Sequence, residues 1–245
     1  MKFTRHGFKE MLIGTLVLLL VAAGLGFTPV WWLGLLTLPV LVWLFAFFRD
    51  PERAIPDSPE NRIAMVSPAD GKVSDVTEID HDPVLGEPSL RIGIFLSVFN
   101  VHINRSPCDA VVKQTIYKKG KFINALDHNK ASEENESNTI VLADPADRDK
   151  PVAVVKQIVG LIARRIVCTK DEGETVLRGE RIGMIKFGSR TELTIPKRLA
   201  PEVHVEVNQK VQAGKDVLAV VDRFGAPHRT SPDPEMQSLA EPTPA

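Results

Sequence analysis

Three residues in this chain are of types that could together run nucleophilic chemistry: Ser189, directly after Gly188; His102, in the apolar segment 95–104; and Asp70, in Ser67-Pro68-Ala69-Asp70-Gly71. A serine hydroxyl is a poor nucleophile without a base. Imidazole titrates near working pH, so His102 could take the Ser189 proton and later return it. A carboxylate on the second ring nitrogen would fix the tautomer and stabilise the imidazolium, and Asp70 is the candidate. Gly188 would leave its carbonyl open to attack by the next residue and allow a strained turn there. Taken singly, each has an ordinary reading: a β-turn for Gly188-Ser189, a turn for Asp70-Gly71, a satisfied core histidine for His102.

The elements that must position these residues are short β-branched runs at 72–79, 90–98, 110–117, 139–142, 152–158, 161–167 and 203–207, which predict strands. Helical patterns are few after residue 62, so the expected fold is a mainly β (α+β) soluble domain spanning 63–228. The polar segment 124–138 reads as a loop with at most a helical turn; its Glu133-Glu134-Asn135-Glu136 run reads as solvated, with a cover over a substrate entrance as the alternative. A Pro- and Ser-rich tail, 229–245, is expected to be disordered. An internal repeat brackets Gly188-Ser189: Val176, Gly179, Ile182 and Ile185 recur 35 residues later as Val211, Gly214, Val217 and Val220. A glycine turn flanked by apolar residues at these intervals predicts two related β-hairpin units, similar to the half-barrel repeat of biotinyl and lipoyl domains.

The N-terminus differs in kind, since residues 11–48 hold no Asp, Glu, Lys, Arg or His. Thr28-Pro29 divides the run into halves that would span about 26 and 29 Å as helices, close to a bilayer core. Lys2, Arg5 and Lys9 precede it and Arg49 and Arg53 follow, which predicts a membrane hairpin over 1–48 with both ends cytoplasmic. Pro39 would kink the second helix. A cleaved signal peptide and a shallow re-entrant hairpin are the competing readings. Residues 49–62, with Pro51, Pro56 and Pro59, read as an extended linker.

Composition narrows the partners. Thirty basic and 31 acidic side chains give a net charge of −1, so no global field favours nucleic acid. Cys108 and Cys168 are too few for a disulfide framework and are expected to be ordinary buried thiols in a reducing compartment. His6, His81, His128, His204 and His228 form no metal-ligand spacing. Lys113, Lys118, Lys119 and Lys121 could face anionic lipid head groups or simply water.

Taken together, Phe47-Phe48-Arg49-Asp50-Pro51 after an apolar N-terminal pair, Pro68-Ala69-Asp70-Gly71, Val101-His102 and Gly188-Ser189, in this order, resemble the phosphatidylserine decarboxylase family in its shorter bacterial and archaeal form. The resemblance implies a proenzyme that cuts itself between Gly188 and Ser189 into a β chain, 1–188, and an α chain, 189–245, which remain together as a heterodimer that could dimerise further. It implies that Ser189 becomes a pyruvoyl group, the only cofactor, with no metal and no pyridoxal phosphate. Through a Schiff base on that group, phosphatidylserine would lose CO2 to give phosphatidylethanolamine. His102 is the candidate proton donor there as well. The substrate partner is then a membrane phospholipid, and the location the cytoplasmic face of the inner cell membrane, in phospholipid biosynthesis. One departure stands out: longer bacterial members carry a second histidine where this chain has Phe99, so that residue's role has no counterpart here. Two other readings remain: a carrier modified at Lys186, and a membrane-tethered serine hydrolase, against which the missing Gly-x-Ser-x-Gly elbow weighs.

Overall fold

The computed structural model describes residues 2–123, 128–161, 165–186 and 189–223. Gly188 and the expected tail, 229–245, lie outside them. The apolar N-terminus forms helix α1 (Phe8–Gly26), a 3-10 segment (Trp31–Leu36) and helix α2 (Thr37–Phe47), folded back on one another. Arg5–Gly26 is long and apolar enough to cross a membrane, whereas Trp31–Phe47 is shorter. Pro39 does not kink a helix. It stands in the first turn of α2, where its missing N–H costs no helical bond. Gly14 lets Leu44 approach, since a Cβ there would lie 2.6 Å from the leucine Cδ2. The hairpin closes at its base, where Thr4 N donates to Phe48 O at 3.0 Å and Asp50 N to Lys2 O at 2.8 Å.

The remainder is mainly β: β1 (Arg62–Val66), β2 (Gly71–Ile79), β3 (Ser89–Leu96), β4 (Ile103–Arg105), β5 (Ala110–Lys118), helix α3 (His128–Glu134), β6 (Ser137–Asp144), β7 (Asp147–Val159), β8 (Arg165–Cys168), β9 (Thr175–Val176), β10 (Arg181–Lys186), β11 (Ser189–Pro196), β12 (Glu202–Val203), β13 (Lys210–Val211) and β14 (Val217–Asp222). An eight-stranded sheet runs in the order β13-β2-β3-β11-β7-β6-β5-β9, with two three-stranded sheets, β1-β14-β12 and β4-β10-β8, beside it. Strand β11 therefore lies inside the large sheet, paired with β3 and β7. Alternation sends Leu90, Ile92, Ile94 and Leu96 of β3 into a core shared with Ile140, Leu142, Leu193 and Ile195. The 124–138 segment carries a helix, α3, at His128–Glu134. Of the expected strand at 203–207 only Val203 is in a strand, the second residue of β12.

The sequence repeat is real in space, but its units are not hairpins. Gly179 and Gly214 both hold positive φ, 77° and 70°, between a two-residue strand and a longer one. Yet β9 pairs with β5 and β10 with β4, while β13 pairs with β2 and β14 with β1. Each glycine turns the chain from one sheet into another, so the arms part rather than pair. A second repeat meets them: Ser67-Pro68-Ala69-Asp70 and Ser106-Pro107-Cys108-Asp109. Ser67 O accepts from Gly214 N at 2.9 Å and Ser106 O from Gly179 N at 2.8 Å. Val66 N donates to Pro107 O, and Arg105 N to Pro68 O, so the two turns clasp each other across a local pseudo-twofold.

Candidate active site

Ser189 opens β11, fully buried, opposite Leu96 of β3 and Val159 of β7. Its Oγ has no hydrogen-bond partner among the described residues. Ser89 Oγ and Thr115 Oγ1 also lack a partner among the described residues, so what sets Ser189 apart is its place at the head of an interior strand, between β3 and β7. The neighbouring end of β7 is capped from the α3 side: Asn135 Nδ2 donates to Val159 O at 2.8 Å, and Val159 N donates to Glu136 O at 3.1 Å.

His102 is also fully buried. It precedes β4, and its carbonyl accepts from Ile185 N at 3.1 Å, one residue before β10 ends at Lys186. The ring lies on Phe47, with centroids 4.3 Å apart, so the last turn of α2 forms one wall of its site. Nδ1 stands 3.0 Å from Asn100 O. A carbonyl can only accept, so Nδ1 carries the proton and Nε2 keeps the lone pair that a base needs. Burial pushes the imidazole down to about 4, and the Arg49 cation adds to this against the Asn100 carbonyl. The neutral, basic form therefore prevails at neutral pH.

Asp70 sits differently from expectation. Its Oδ2 pairs with Arg53 Nη2 at 2.7 Å and its Oδ1 accepts from Ala213 N at 2.8 Å. The group fixing the His102 tautomer is a backbone carbonyl rather than this carboxylate. The cause lies in the turn repeat: Asp109 Oδ1 accepts from Arg178 N at 2.7 Å in the equivalent place, so this aspartate is the turn's own cap. Burial raises the Asp70 carboxyl above the usual range, against the Ala213 amide and the Arg53 charge, which favour its ionised form. Asp70 directly precedes β2, and two strand spacings, about 10 Å, separate β2 from β11.

A chain of buried amides joins the His102 segment to the serine strand. Asn104 Nδ2 donates to Thr191 Oγ1 at 3.0 Å, Gln157 Nε2 to Asn104 Oδ1 at 2.9 Å, and Asn138 Nδ2 to Gln157 Oε1 at 3.0 Å. Thr191 is two residues past Ser189 in β11, so the two share a strand face, and Asn104 of β4 lies two residues past His102. Sequence reasoning missed this network. Its signal was one buried polar side chain from each of β4, β6, β7 and β11, and only their pairing in space brings the four together.

The extended 49–62 segment is pinned by ion pairs: Asp50 pairs with Arg181 at 2.6 Å and Arg105 at 3.3 Å, beside the Arg53–Asp70 pair. A cleft of about 780 Å³ opens at the hairpin base, lined by Lys2, Arg5, Asp50, Lys170, Arg181 and Gly183 among others. No group of three or more His, Cys, Asp or Glu side chains among the described residues is placed to hold a metal. Cys108 and Cys168 are free thiols, the first fully buried and the second partly so.

The sequence profile of phosphatidylserine decarboxylase matches residues 41–219, which takes in Asp70, His102 and Ser189. The chain belongs to the phosphatidylserine decarboxylase family. Among curated relatives named phosphatidylserine decarboxylase proenzyme, that of Rhodopirellula baltica is 44% identical over 89% of this chain and 87% of its own length. That of Ralstonia pickettii is 44% identical over 84% of this chain and 90% of its own, and that of Cupriavidus taiwanensis 40% over 89% and 95%. Membership in the phosphatidylserine decarboxylase family makes this chain an enzyme, a decarboxylase.

Proposed function

We propose that the chain is a phosphatidylserine decarboxylase proenzyme that converts Ser189 into its own pyruvoyl cofactor and then releases CO2 from phosphatidylserine, leaving phosphatidylethanolamine for phospholipid biosynthesis. The observation that carries this reading is the buried, unpartnered Ser189 Oγ at the head of an interior strand. The hydroxyl oxygen attacks the Gly188 carbonyl carbon, the Gly188–Ser189 C–N bond breaks, and His102 Nε2 takes the hydroxyl proton and passes it to the freed amine. Loss of the Ser189 α-proton then expels Gly188 as a carboxylate. The dehydroalanine left behind takes up water and releases ammonia, giving the pyruvoyl group. No oxidant is consumed.

The group supplies an electron sink for the leaving carboxylate when substrate is bound. The chain's own residues do the rest. His102, neutral and walled by Phe47, exchanges protons beside residue 189, and the Asn104–Gln157–Asn138 chain keeps its segment in register with β11. Asp70 acts on the precursor through its pairing with Arg53 and Ala213, which holds the turn against the linker.

The hairpin 1–48 seats the 63–228 domain on the cytoplasmic face of the inner membrane through the linker 49–62. The exposed apolar side chains of α1, Trp31 and Trp32 at the hairpin tip, and the basic residues at its base support this reading. Substrate would then arrive from the bilayer beside α2. The β chain, 1–188, and the α chain, 189–245, stay together through the ladders of β11 with β3 and β7.

Mass measurement and a denaturing gel test the reading. Wild type gives fragments ending at Gly188 and starting at residue 189, the second carrying a ketone that borohydride reduces, while Ser189→Ala stays whole and inactive. An uncut wild-type chain that decarboxylates phosphatidylserine would overturn it.

A further inference from the structure

Ser189 faces one side of the large sheet and Arg190, the next residue, faces the other. Arg190 is fully buried. Its Nη2 pairs with Asp75 Oδ1 at 2.7 Å, its Nε with Glu192 Oε1 at 2.9 Å, and its Nη1 donates to Ser74 Oγ. Glu192 accepts in turn from Ser132 Oγ of α3, whose carbonyl holds Lys156 Nζ at 2.7 Å. The guanidinium thus ties the start of β11 to β2 and, through Glu192, to α3.

The fold makes room for this charge at a cost. A glycine, Gly93, interrupts the middle of β3, and a Cβ there would lie 2.1 Å from Arg190 Nη2 and 2.5 Å from Asp75 Oδ1. The β2–β3 register slips between Val73 and Asp75, a bulge that re-aims Ser74 and Asp75. Burying a cation among carboxylates contributes little net stability compared with a well-packed apolar side chain. Three costly features converging on one side chain therefore call for a role other than holding the fold together.

The proposed self-cleavage supplies that role. In the uncut chain residue 189 is held covalently on both sides. Once the bond to Gly188 breaks and the Ser189 nitrogen leaves as ammonia, residue 189 becomes a strand end with no backbone donor, and strand ends fray. The first side-chain anchor left is Arg190. We infer that Arg190, with Asp75 and Glu192, is a positioning residue that pins the newly formed chain end against the site. The inference rests on the proposed cleavage and adds a requirement that arises only after it.

The test uses full-length protein in detergent or vesicles. Arg190→Met is expected to fold and to be cut, with a borohydride-reducible α fragment in wild-type amount, while kcat/KM for phosphatidylserine falls about tenfold or more through misplacement of the chain end. Hydrogen exchange at the first amides of β11 separates this from a purely structural role. Arg190→Met should raise exchange in cut protein but leave it near the parent level in the uncut Ser189→Ala background. Equal loosening in both backgrounds overturns the inference, as does wild-type kcat/KM in cut Arg190→Met, or folded Arg190→Met that stays uncut. Should Arg190→Met fail to fold, Asp75→Asn decides by the same measurements, with unchanged kcat/KM overturning the inference. An uncut wild type would instead sink the proposed function itself.

Discussion

Aligned on their Ser-Pro pairs, the half of the corner built on Ser67-Pro68 and the half built on Ser106-Pro107 place the same turns, caps and positive-φ glycines in the same positions, yet they are filled differently. Where β1 carries Ile63, Met65 and Val66, the second half carries His102, Asn104 and Arg105. Met65 is fully buried in the main core, whereas Asn104 spends its burial on Thr191, Gln157 and Pro68. One half holds hydrocarbon and stabilises the frame. The other has exchanged hydrocarbon for hydrogen-bonding groups beside the serine strand, which is where the proposed function places its proton-transfer group. The aspartates divide the opposite way: Asp109 is an exposed cap, while Asp70 is buried and paired with Arg53.

Substitution at matched places breaks this comparison most directly. His102→Ala is expected to slow self-cleavage about a hundredfold or more, followed as the fraction of cut chain over time on a denaturing gel. Met65→Ala, in the apolar half, should cost about 2–5 kcal/mol in unfolding while folded protein still cuts itself at the parent rate. If Met65→Ala blocks cutting in folded protein as strongly as His102→Ala does, the division of labour is wrong.

Acid sharpens the same contrast. An unfolded His102 binds a proton near 6.5, but burial holds the folded imidazole neutral down to about 4. The unfolded state therefore binds more protons between these values, and stability rises with pH across the window. It is full above 6.5 and is lost as pH falls toward 4, by about 3 kcal/mol at most. Denaturant melts from pH 7 to pH 4 should show this loss in wild type and a shallower one in His102→Gln. Parallel curves would mean that the imidazole is not held neutral by burial.

The aspartate pair comes next in size. Asp109→Asn should leave cutting and stability near the parent values, because its cap faces water and an amide oxygen can still accept from Arg178 N. Asp70→Asn keeps the Ala213 bond but removes the charge opposite Arg53, and cutting is expected to slow about tenfold or more. Equal behaviour of the two variants on the gel would reduce Asp70 to its turn-capping duty.

The features legible in the sequence were those carried by local pattern. Short β-branched runs marked β2, β3, β5 and β7 to within a few residues, except that β7 starts earlier, at Asp147. The uncharged stretch marked the helix pair, and the spacing of Gly179 and Gly214 marked a repeat. What stayed hidden depended on partners distant in sequence. No pattern within 203–207 shows that Val203 alone of these residues pairs with β14, beside Glu202. Nothing around Asp70 shows that Ala213, 143 positions away, claims one oxygen and Arg53 the other. The hairpin reading of the repeat failed for the same reason, because a left-handed glycine fixes the turn but not which strands receive its arms. Arg190 was passed over because a charged residue after Gly-Ser looks like a solvated turn, and only the Gly93 gap and the Ser74 bulge make its burial possible.

The smallest contrast lies in the two glycines. Both hold positive φ, so alanine at either should cost about 1–2 kcal/mol from backbone strain alone. Their surroundings differ, however. A Cβ on Gly179 would lie 2.1 Å from Ile55 Cδ1, whereas on Gly214 the same atom stands at 3.4 Å and Arg105 Cδ at 3.0 Å. Ile55 belongs to the linker, and its side chain lies over both turns. Gly179→Ala should therefore destabilise more than Gly214→Ala in paired denaturant melts, and Ile55→Ala should recover part of the difference for Gly179→Ala only. Equal costs with no recovery would mean that the linker does not press on the corner, and that the clasp between the two halves is held by their own backbone bonds alone.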